Sequence, residues 1–208
     1  MKRKKILIVG GTGFIGYHLA KKSLEKNWEV TSISTKTPKK KRYLKKVKYI
    51  FCDISKKDIL KRKIKNNFDY VVNLGGYVDH SKKKKTYQSH YFGCKNLTEI
   101  FLNRPLKSFV QMGSSVEYGY AKSPQTEKIK TKVSSLKSIY GKAKLNSSEF
   151  LIQKYKKNNS PATILRLYLS YGPKQDINRF IPIIINSCLG GKKFPCSNGR
   201  QFRDFLHV

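Results

Sequence analysis

The residues best suited to carry chemistry lie in the segment S-I-Y-G-K-A-K, which contains Tyr140 and Lys144. A tyrosine phenol has a pKa of about 10, so it is a weak base at neutral pH unless a neighbouring cation lowers that pKa. On a helix, a spacing of four residues places the two side chains one turn apart on the same face. The segment therefore predicts a phenol that gives and takes protons beside a lysine ammonium.

The Tyr–Lys spacing alone is weak evidence, because lysine is so frequent in this chain. The 208 residues include 45 Lys and Arg against 12 Asp and Glu, which gives a formal net charge of +33. The predicted strands and helices around each Tyr–Lys pair must therefore show which pair is catalytic and which pairs arise by chance. The spacing occurs at Tyr17/Lys21, Tyr91/Lys95, Tyr118/Lys122 and Tyr140/Lys144.

A glycine-rich turn follows the first apolar run, in V-G-G-T-G-F-I-G-Y-H-L-A. Gly10, Gly13 and Gly16 lie between a predicted strand and a predicted helix, where glycines permit a tight turn and a close approach to a pyrophosphate. The phosphates of a dinucleotide would meet free N–H groups at the positive end of the helix. The predicted cofactor contacts in this turn are Gly10, Thr12, Gly13, Phe14, Ile15 and Gly16.

Short apolar runs rich in β-branched residues alternate with longer helix-compatible segments. Such alternation, with strands buried on both faces, is typical of a parallel sheet covered by helices, the doubly wound α/β class. In this arrangement Tyr140 and Lys144 begin the helix before the last strand. The predicted strands are 6–9, 30–33, 47–51, 70–74, 108–112 and 163–167, and the predicted helices are 14–25, 55–65, 83–102 and 138–156.

The chain resembles the extended branch of the short-chain dehydrogenase/reductase superfamily, the NAD-dependent epimerase/dehydratase family that modifies nucleotide sugars. The resemblance rests on motifs in order along the whole chain, namely G-G-T-G-F-I-G, F-C-D-I, V-V-N-L-G-G, M-G-S-S-V-E-Y-G, S-I-Y-G-K-A-K and R-Q-F-R-D-F. It implies a Rossmann-type sheet with Ser114, Tyr140 and Lys144 as catalytic residues. It further implies cofactor contacts from Asp53, Ile54, Leu74, Gly75, Gly76, Tyr140 and Lys144, and substrate contacts from Ser114, Ser115 and Arg203.

The resemblance implies an NAD(P)-dependent enzyme that transfers a hydride at a sugar carbon, with Tyr140 as acid and base. Lys144 and an oxidised nicotinamide would together lower the pKa of the Tyr140 phenol. A nucleotide-sugar epimerase and a 4-keto reductase both stay open. The alternative from another class is a non-catalytic dinucleotide-binding protein that retains the fold.

A 4,6-dehydratase is disfavoured by the residues after Ser114. Related dehydratases carry Asp-Glu there, because the elimination of water needs an additional acid and base, whereas this chain has Ser115 and Val116. Glu117 follows one place late, and on an extended segment a slip of one residue turns a side chain to the other face.

The end of the second strand bears on the choice of cofactor. Related proteins that use NAD commonly have an acid there for the ribose diol, and V-T-S-I-S-T-K has Ser34 instead. With Ser34 and Lys36 as the predicted contacts and Arg42 nearby, a 2′-phosphate meets no carboxylate, so NADP fits at least as well as NAD. A second departure is Leu169, which stands where an Asn often contacts the substrate.

We predict a dinucleotide-binding domain at 1–167 that contains the Ser, Tyr and Lys, and the beginning of a smaller C-terminal substrate domain at 168–208. Related proteins continue past the R-D-F strand, so we expect a shortened chain that binds cofactor but holds a nucleotide sugar poorly. The sequence leaves open whether the chain forms a homodimer through the helices at 83–102 and 138–156.

The composition disfavours other classes of protein. Lysines are spread along the whole chain and Arg is scarce, whereas nucleic-acid readers rely on clustered Arg. The four Cys stand far apart without a C-x-x-C, so no metal site or disulfide framework is indicated. The apolar runs are too short for a signal peptide or a membrane span. We therefore expect a cytoplasmic protein.

Overall fold

The computed structural model describes residues 2–102, 104–159 and 161–208. The chain forms two compact units, Met1–Leu167 and Tyr168–Val208. The first unit contains the large sheet with its helices, and the second, all of whose residues are described, contains two short strands and one helix.

In the described part of the first unit, six strands form a parallel sheet in the order β3-β2-β1-β4-β5-β6. The chain moves outward from β1 to β3, then returns to place β4 beside β1, so the direction of winding reverses between β1 and β4. This confirms the predicted doubly wound α/β class. The strands are β1 (Lys5–Val9), β2 (Glu29–Ser34), β3 (Lys48–Phe51), β4 (Tyr70–Asn73), β5 (Ser108–Ser114) and β6 (Ala162–Leu167).

Helices occupy all four predicted segments of the first unit, but one predicted helix is divided, and the helix of the second unit was not predicted. The predicted helix 83–102 consists of an α-helix, a π-helical turn at Gln88–Phe92 and a second α-helix. Short 3₁₀ turns at Lys40–Arg42, Ser115–Tyr118 and Val133–Ser135 were not predicted. The helices of the first unit are α1 (Phe14–Glu25), α2 (Lys57–Lys63), α3 (Lys83–Tyr87), α4 (Gly93–Phe101) and α5 (Ile139–Asn158).

Each face of the sheet has its own apolar cluster, because successive side chains of a strand point to opposite faces. Ile6 and Ile8 of β1 pack with Ala20 of α1 on one face. The other cluster contains Leu7 and Val9 of β1 together with residues of α2, α4 and α5, including Leu60, Leu97 and Leu151.

The prediction of strands buried on both faces is confirmed for β1 and is wrong for β3 and β6. Residues at both ends of β3 are exposed, and alternate residues of β6 are exposed. These two strands lie at the edges of the sheet, where each has a neighbour on one side only.

The second unit pairs β7 (Leu169–Tyr171) in parallel with β8 (Phe205–His207), and α6 (Phe180–Leu189) lies between them in the chain. The Arg-Asp-Phe motif leads into β8, as the resemblance implies. Among the described residues of both units, no helix is long and apolar enough to cross a membrane.

The core of the first unit predicts unequal effects for two adjacent substitutions in α2. Leu60 is fully buried, whereas Ile59 is 41% exposed. We expect Leu60→Ala to lower the free energy of unfolding by about 2–5 kcal/mol, because it removes buried contacts and leaves a cavity. Ile59→Ala should cost about 1 kcal/mol or less. Urea unfolding followed by circular dichroism measures both, and equal losses would contradict the burial assigned to α2.

Candidate active site

The glycine turn joins β1 to α1 at the carboxyl end of the sheet. Gly10 has a φ of +81°, which favours glycine, and its N–H donates to the Ile33 carbonyl oxygen at 2.7 Å. A Cβ on Gly16 would collide with the backbone of Gly10 and Gly11. The turn therefore brings the start of α1 directly against the ends of β1 and β2.

The N-terminus of α1 presents backbone N–H groups without a capping side chain. Gly13 is the N-cap residue, has an extended backbone and makes no side-chain cap. Phe14 and Ile15 begin the helix, and both are half-buried. The Thr12 N–H points to the Ser34 hydroxyl at 3.4 Å, which ties the turn to the end of β2. The helix end thus has the donors that an anionic group requires.

The next predicted contacts lie after β2 and β3 and differ in exposure. Lys36 and Asp53 are exposed, and the Asp53 carboxylate accepts a hydrogen bond from the Ser55 N–H at 2.9 Å. Ile54 is buried, and its side chain would lie 3.2 Å from a Cβ on Gly75. Ile54 therefore packs beneath the loop after β4.

The loop after β4 completes this edge. The Leu74 N–H donates to the Val9 carbonyl oxygen at 2.9 Å, and a Cβ on Gly10 would lie 3.0 Å from the Leu74 carbonyl oxygen. Gly75 and Gly76 follow directly. The structure therefore brings the glycine turn and the Leu74–Gly76 segment together, although 64 residues separate Gly10 from Leu74 in the chain.

Ser114, Tyr140 and Lys144 form one group at the end of β5 and the start of α5. The Ser114 side chain lies close enough to the Tyr140 phenol to lower its pKa through hydrogen bonding. The Lys144 Nζ lies 5.8 Å from the centroid of the Tyr140 ring and donates to the Met112 carbonyl oxygen at 2.6 Å. Ser138 caps α5 by accepting a hydrogen bond from the Gly141 N–H at 3.0 Å, so the helix begins just before Tyr140.

Burial separates this pair from the three others with the same spacing. Lys144 is buried, whereas Lys21 and Lys122 are exposed and Lys95 is half-buried. Tyr118 contacts a different cation, since the Arg166 guanidinium lies 4.6 Å from its ring centroid.

The protonation of the pair differs from the expectation. Burial raises the pKa of Tyr140 above its ordinary value of 10.0, a hydrogen bond with Ser114 opposes this, and the Glu117 charge adds to it. Burial lowers the pKa of Lys144 to about 8, and the Glu117 charge opposes that shift. Lys144 was expected to lower the pKa of Tyr140, but in the chain alone the loss of solvation dominates at both groups.

Two histidines that the sequence did not single out enclose the Tyr140 ring. The His80 ring stacks on it with centroids 4.1 Å apart, and the His90 ring meets it edge-on at 5.0 Å. His90 lies in the π-helical turn, where Nε2 is 3.3 Å from the Tyr77 carbonyl oxygen. Burial, together with the charge of Lys144, lowers the pKa of His90 to about 3, so its ring is neutral near pH 7. Sequence spacing gave no signal for either residue, because both come from loops and turns.

A buried chain of hydrogen bonds links the loop after β4 to Lys144. The Gly75 N–H donates to the Asn73 side-chain oxygen at 3.1 Å, and the Asn73 amide donates to the Gln111 side chain at 2.7 Å. The Gln111 amide then donates to the Met112 carbonyl oxygen at 3.1 Å, which also accepts from Lys144. This series of hydrogen bonds fixes the position of the loop after β4 relative to the Lys144 side chain.

Two predicted substrate contacts lie in different units. Ser115 is half-buried and begins the 3₁₀ turn after β5. Arg203 belongs to the second unit, where its guanidinium donates to the Phe202 carbonyl oxygen at 2.9 Å and to the Gln201 side chain at 2.6 Å. Among the described residues, no group of three or more His, Cys, Asp or Glu could hold a metal ion.

Known proteins resemble this chain along its length. A dTDP-D-glucose 4,6-dehydratase from Dictyostelium discoideum is 29% identical over 99% of the chain, and the match covers 53% of that relative. A UDP-glucose 4-epimerase from Neisseria meningitidis serogroup B is 26% identical over 99% of the chain and 70% of that relative. The chain therefore spans between about half and about two thirds of the length of these relatives.

The fold has counterparts among solved structures. The Bordetella bronchiseptica enzyme WbmG, crystallised with NAD and UDP, superposes with a TM-score of 0.85 at 23% identity, covering 100% of this chain and 66% of that one. The model of the NAD dependent epimerase/dehydratase family matches residues 6–208. The chain belongs to the NAD dependent epimerase/dehydratase family.

Proposed function

We propose that this chain is the dinucleotide-binding and proton-transferring part of a nucleotide-sugar epimerase or 4-keto reductase. The observation that carries the proposal is the group formed by Ser114, Tyr140 and Lys144, in which a phenol lies next to a serine hydroxyl and beside a buried lysine side chain. Geometry of this kind suits proton transfer to and from a single oxygen atom.

The glycine turn supports binding of a nicotinamide dinucleotide. A pyrophosphate would be held by the uncapped N–H groups at Phe14 and Ile15, where the close backbone of Gly10 and Gly16 leaves no room for side chains. Ile54, Leu74, Gly75 and Gly76 would form the floor beneath the rest of the cofactor, with Asp53 at its rim. When bound, the nicotinamide would accept a hydride from a carbon or return one to it.

The residues of the chain itself would control the transfer of one proton at the Tyr140 phenol. With its pKa raised by burial, Tyr140 is protonated at neutral pH and can donate to an alkoxide in the direction of reduction. In the direction of oxidation it must first lose its proton, which a positive charge next to the ring would favour. Ser114 would orient the reacting oxygen by hydrogen bonding to it, and Lys144 would supply the cation.

The relatives support a nucleotide sugar as the substrate class, since a UDP-sugar epimerase and a dTDP-sugar dehydratase are both among them. Arg203 in the second unit is the proposed contact for a phosphate, because a guanidinium binds phosphate with paired N–H donors. Ser115 is the proposed neighbour of the sugar.

Glu117 disfavours dehydration. The residue lies in a 3₁₀ turn rather than on the extended segment that we expected, and its side chain is fully buried. It forms an ion pair with Arg166, with 3.2 Å between the Arg166 Nε and the nearer carboxylate oxygen. A carboxylate engaged in this way is not available to take a proton from a sugar carbon.

The cofactor is proposed to be NADP or NAD, with NADP favoured. Ser34 takes the place of an acid at the end of β2, and its hydroxyl already accepts from the Thr12 N–H. The exposed Lys36 would attract a 2′-phosphate, and no carboxylate stands at this strand end to repel it.

The main test compares Tyr140→Phe with Tyr91→Phe, since both tyrosines precede a lysine by four residues. We expect Tyr140→Phe to slow the reduction of bound NAD(P) by UDP- or dTDP-sugars by about 10²–10⁴-fold, because the proton has no acceptor. Tyr91→Phe should leave that rate unchanged. Absorbance at 340 nm in single-turnover mixtures reports the step. A parent protein that binds dinucleotide but reduces it with no sugar would favour the non-catalytic alternative.

The cofactor assignment predicts a charge effect at Ser34. Ser34→Asp should raise the Kd for NADP at least about tenfold, because the new carboxylate repels the 2′-phosphate, and should leave the Kd for NAD unchanged or lower. Asn158→Asp, which adds the same charge at the end of α5, is the control and should change neither Kd. Titration calorimetry measures all four values. Equal losses for NAD and NADP in Ser34→Asp would refute the assignment.

A further inference from the structure

A buried carboxylate lies directly beneath the end of β5. The Glu117 Oε1 accepts a hydrogen bond from the Ser114 N–H at 2.8 Å, and the Ser114 Oγ accepts one from the Val116 N–H at 3.4 Å. The two bonds form a capping box that closes the 3₁₀ turn Ser115–Tyr118. Glu117 therefore fixes the piece of backbone that carries the Ser114 hydroxyl.

The second oxygen of Glu117 is also fully engaged. Its Oε2 accepts from the Ser148 hydroxyl at 2.8 Å and from the Arg166 Nε at 3.2 Å. Gly113 makes room for the group, since a Cβ there would lie 2.6 Å from the Glu117 Oε1. The burial of a carboxylate costs least when the group is both paired with a cation and hydrogen-bonded, and here it is both.

Glu117 lies close to the proposed proton-transfer group, because it hydrogen-bonds Ser114 at the end of β5 and Ser148, which lies one turn after Lys144 on α5. The Glu117 charge opposes the effect of burial on the pKa of Lys144, which is about 8, and it adds to burial in raising the pKa of Tyr140. Such effects are large in a region that excludes water. The titratable and charged groups packed around the pair are His80 from the loop before α3, His90 and Cys94 from the helical run, Glu117 and Tyr118 from the turn, and Arg166 from β6.

We infer that Glu117 is a positioning residue for proton transfer at Tyr140. Its carboxylate holds Ser114 against the phenol and serves as the buried anion for the Lys144 ammonium. The inference rests on the proposed function, because it assigns Glu117 to the same proton-transfer group. A purely structural role, in which Glu117 only pairs with Arg166 to stabilise the fold, would leave the titration of the α5 residues unchanged.

Removal of the Glu117 charge should shift the pKa values of Lys144 and Tyr140 in the same direction. Without the anion, the Lys144 ammonium is disfavoured and the Tyr140 phenolate is favoured, so the pKa values of both groups fall. In Glu117→Gln we expect the Lys144 midpoint to drop by about one pH unit or more. Glu127→Gln makes the same substitution at an exposed site and should leave both midpoints where they are in the parent.

Nuclear magnetic resonance measures the two midpoints without any need for turnover. Lysines labelled at Cε and tyrosines labelled at Cζ are titrated, and the signals are assigned by their loss in Lys144→Arg and Tyr140→Phe. A parent-like Lys144 midpoint in folded Glu117→Gln would overturn the inference. If this variant does not fold, Glu117→Gln combined with Arg166→Met avoids an unpaired buried guanidinium and should show the same shift.

Measurements of activity distinguish a failure of this inference from a failure of the proposed function. The pH profile of kcat in Glu117→Gln should move as a whole to lower pH by about one unit, with a smaller change in KM. A shifted Lys144 midpoint in a protein that turns over no nucleotide sugar would refute the proposed function but not the electrostatic role of Glu117. Turnover in the parent with an unshifted profile in Glu117→Gln would refute the positioning role alone.

Discussion

The ammonium group of Lys144 lies in the interior of the first unit, and the polar groups around it are arranged to keep it there. An ionised lysine loses its hydration on burial, which costs several kcal/mol unless other groups replace the water. Here the Met112 carbonyl oxygen accepts directly from Nζ, and the charge of Glu117 opposes the effect of burial on the pKa of Lys144. Arg42 and Lys144 are the buried Arg and Lys residues among the described residues, so the large positive charge of the chain lies mostly at its surface.

The parallel sheet brings the parts of the site together. The six strands of the large sheet all run in the same direction, so the segments that leave their carboxyl ends meet along one edge. The glycine turn, Ser34, Ile54, Leu74 and Ser114 each follow or end a different strand. The buried amides of Asn73 and Gln111 then connect β4 to β5, so hydrogen bonds link the loop after β4, which we propose contacts the cofactor, to the group around Lys144.

Solvent exclusion sets the chemical character of the tyrosine. The ring of Tyr140 is enclosed by His80 and by the neutral His90, and in this setting its phenol holds a proton at neutral pH. In the function that we propose, the positive charge of an oxidised cofactor would favour the loss of that proton. The balance between Glu117, Lys144 and such a cofactor would decide the direction in which the proton moves.

The fold class, the six strands of the large sheet, the glycine turn and the family resemblance could all be predicted from the sequence, because they depend on local periodicity and on motifs in fixed order. The same order ranked Tyr140 and Lys144 above three pairs with the same spacing. The surroundings of the pair became visible only in the folded chain, and they include His80, His90, Glu117 and Arg166. These residues come from separate elements, and neither burial nor the resulting change in pKa can be read from spacing along the chain.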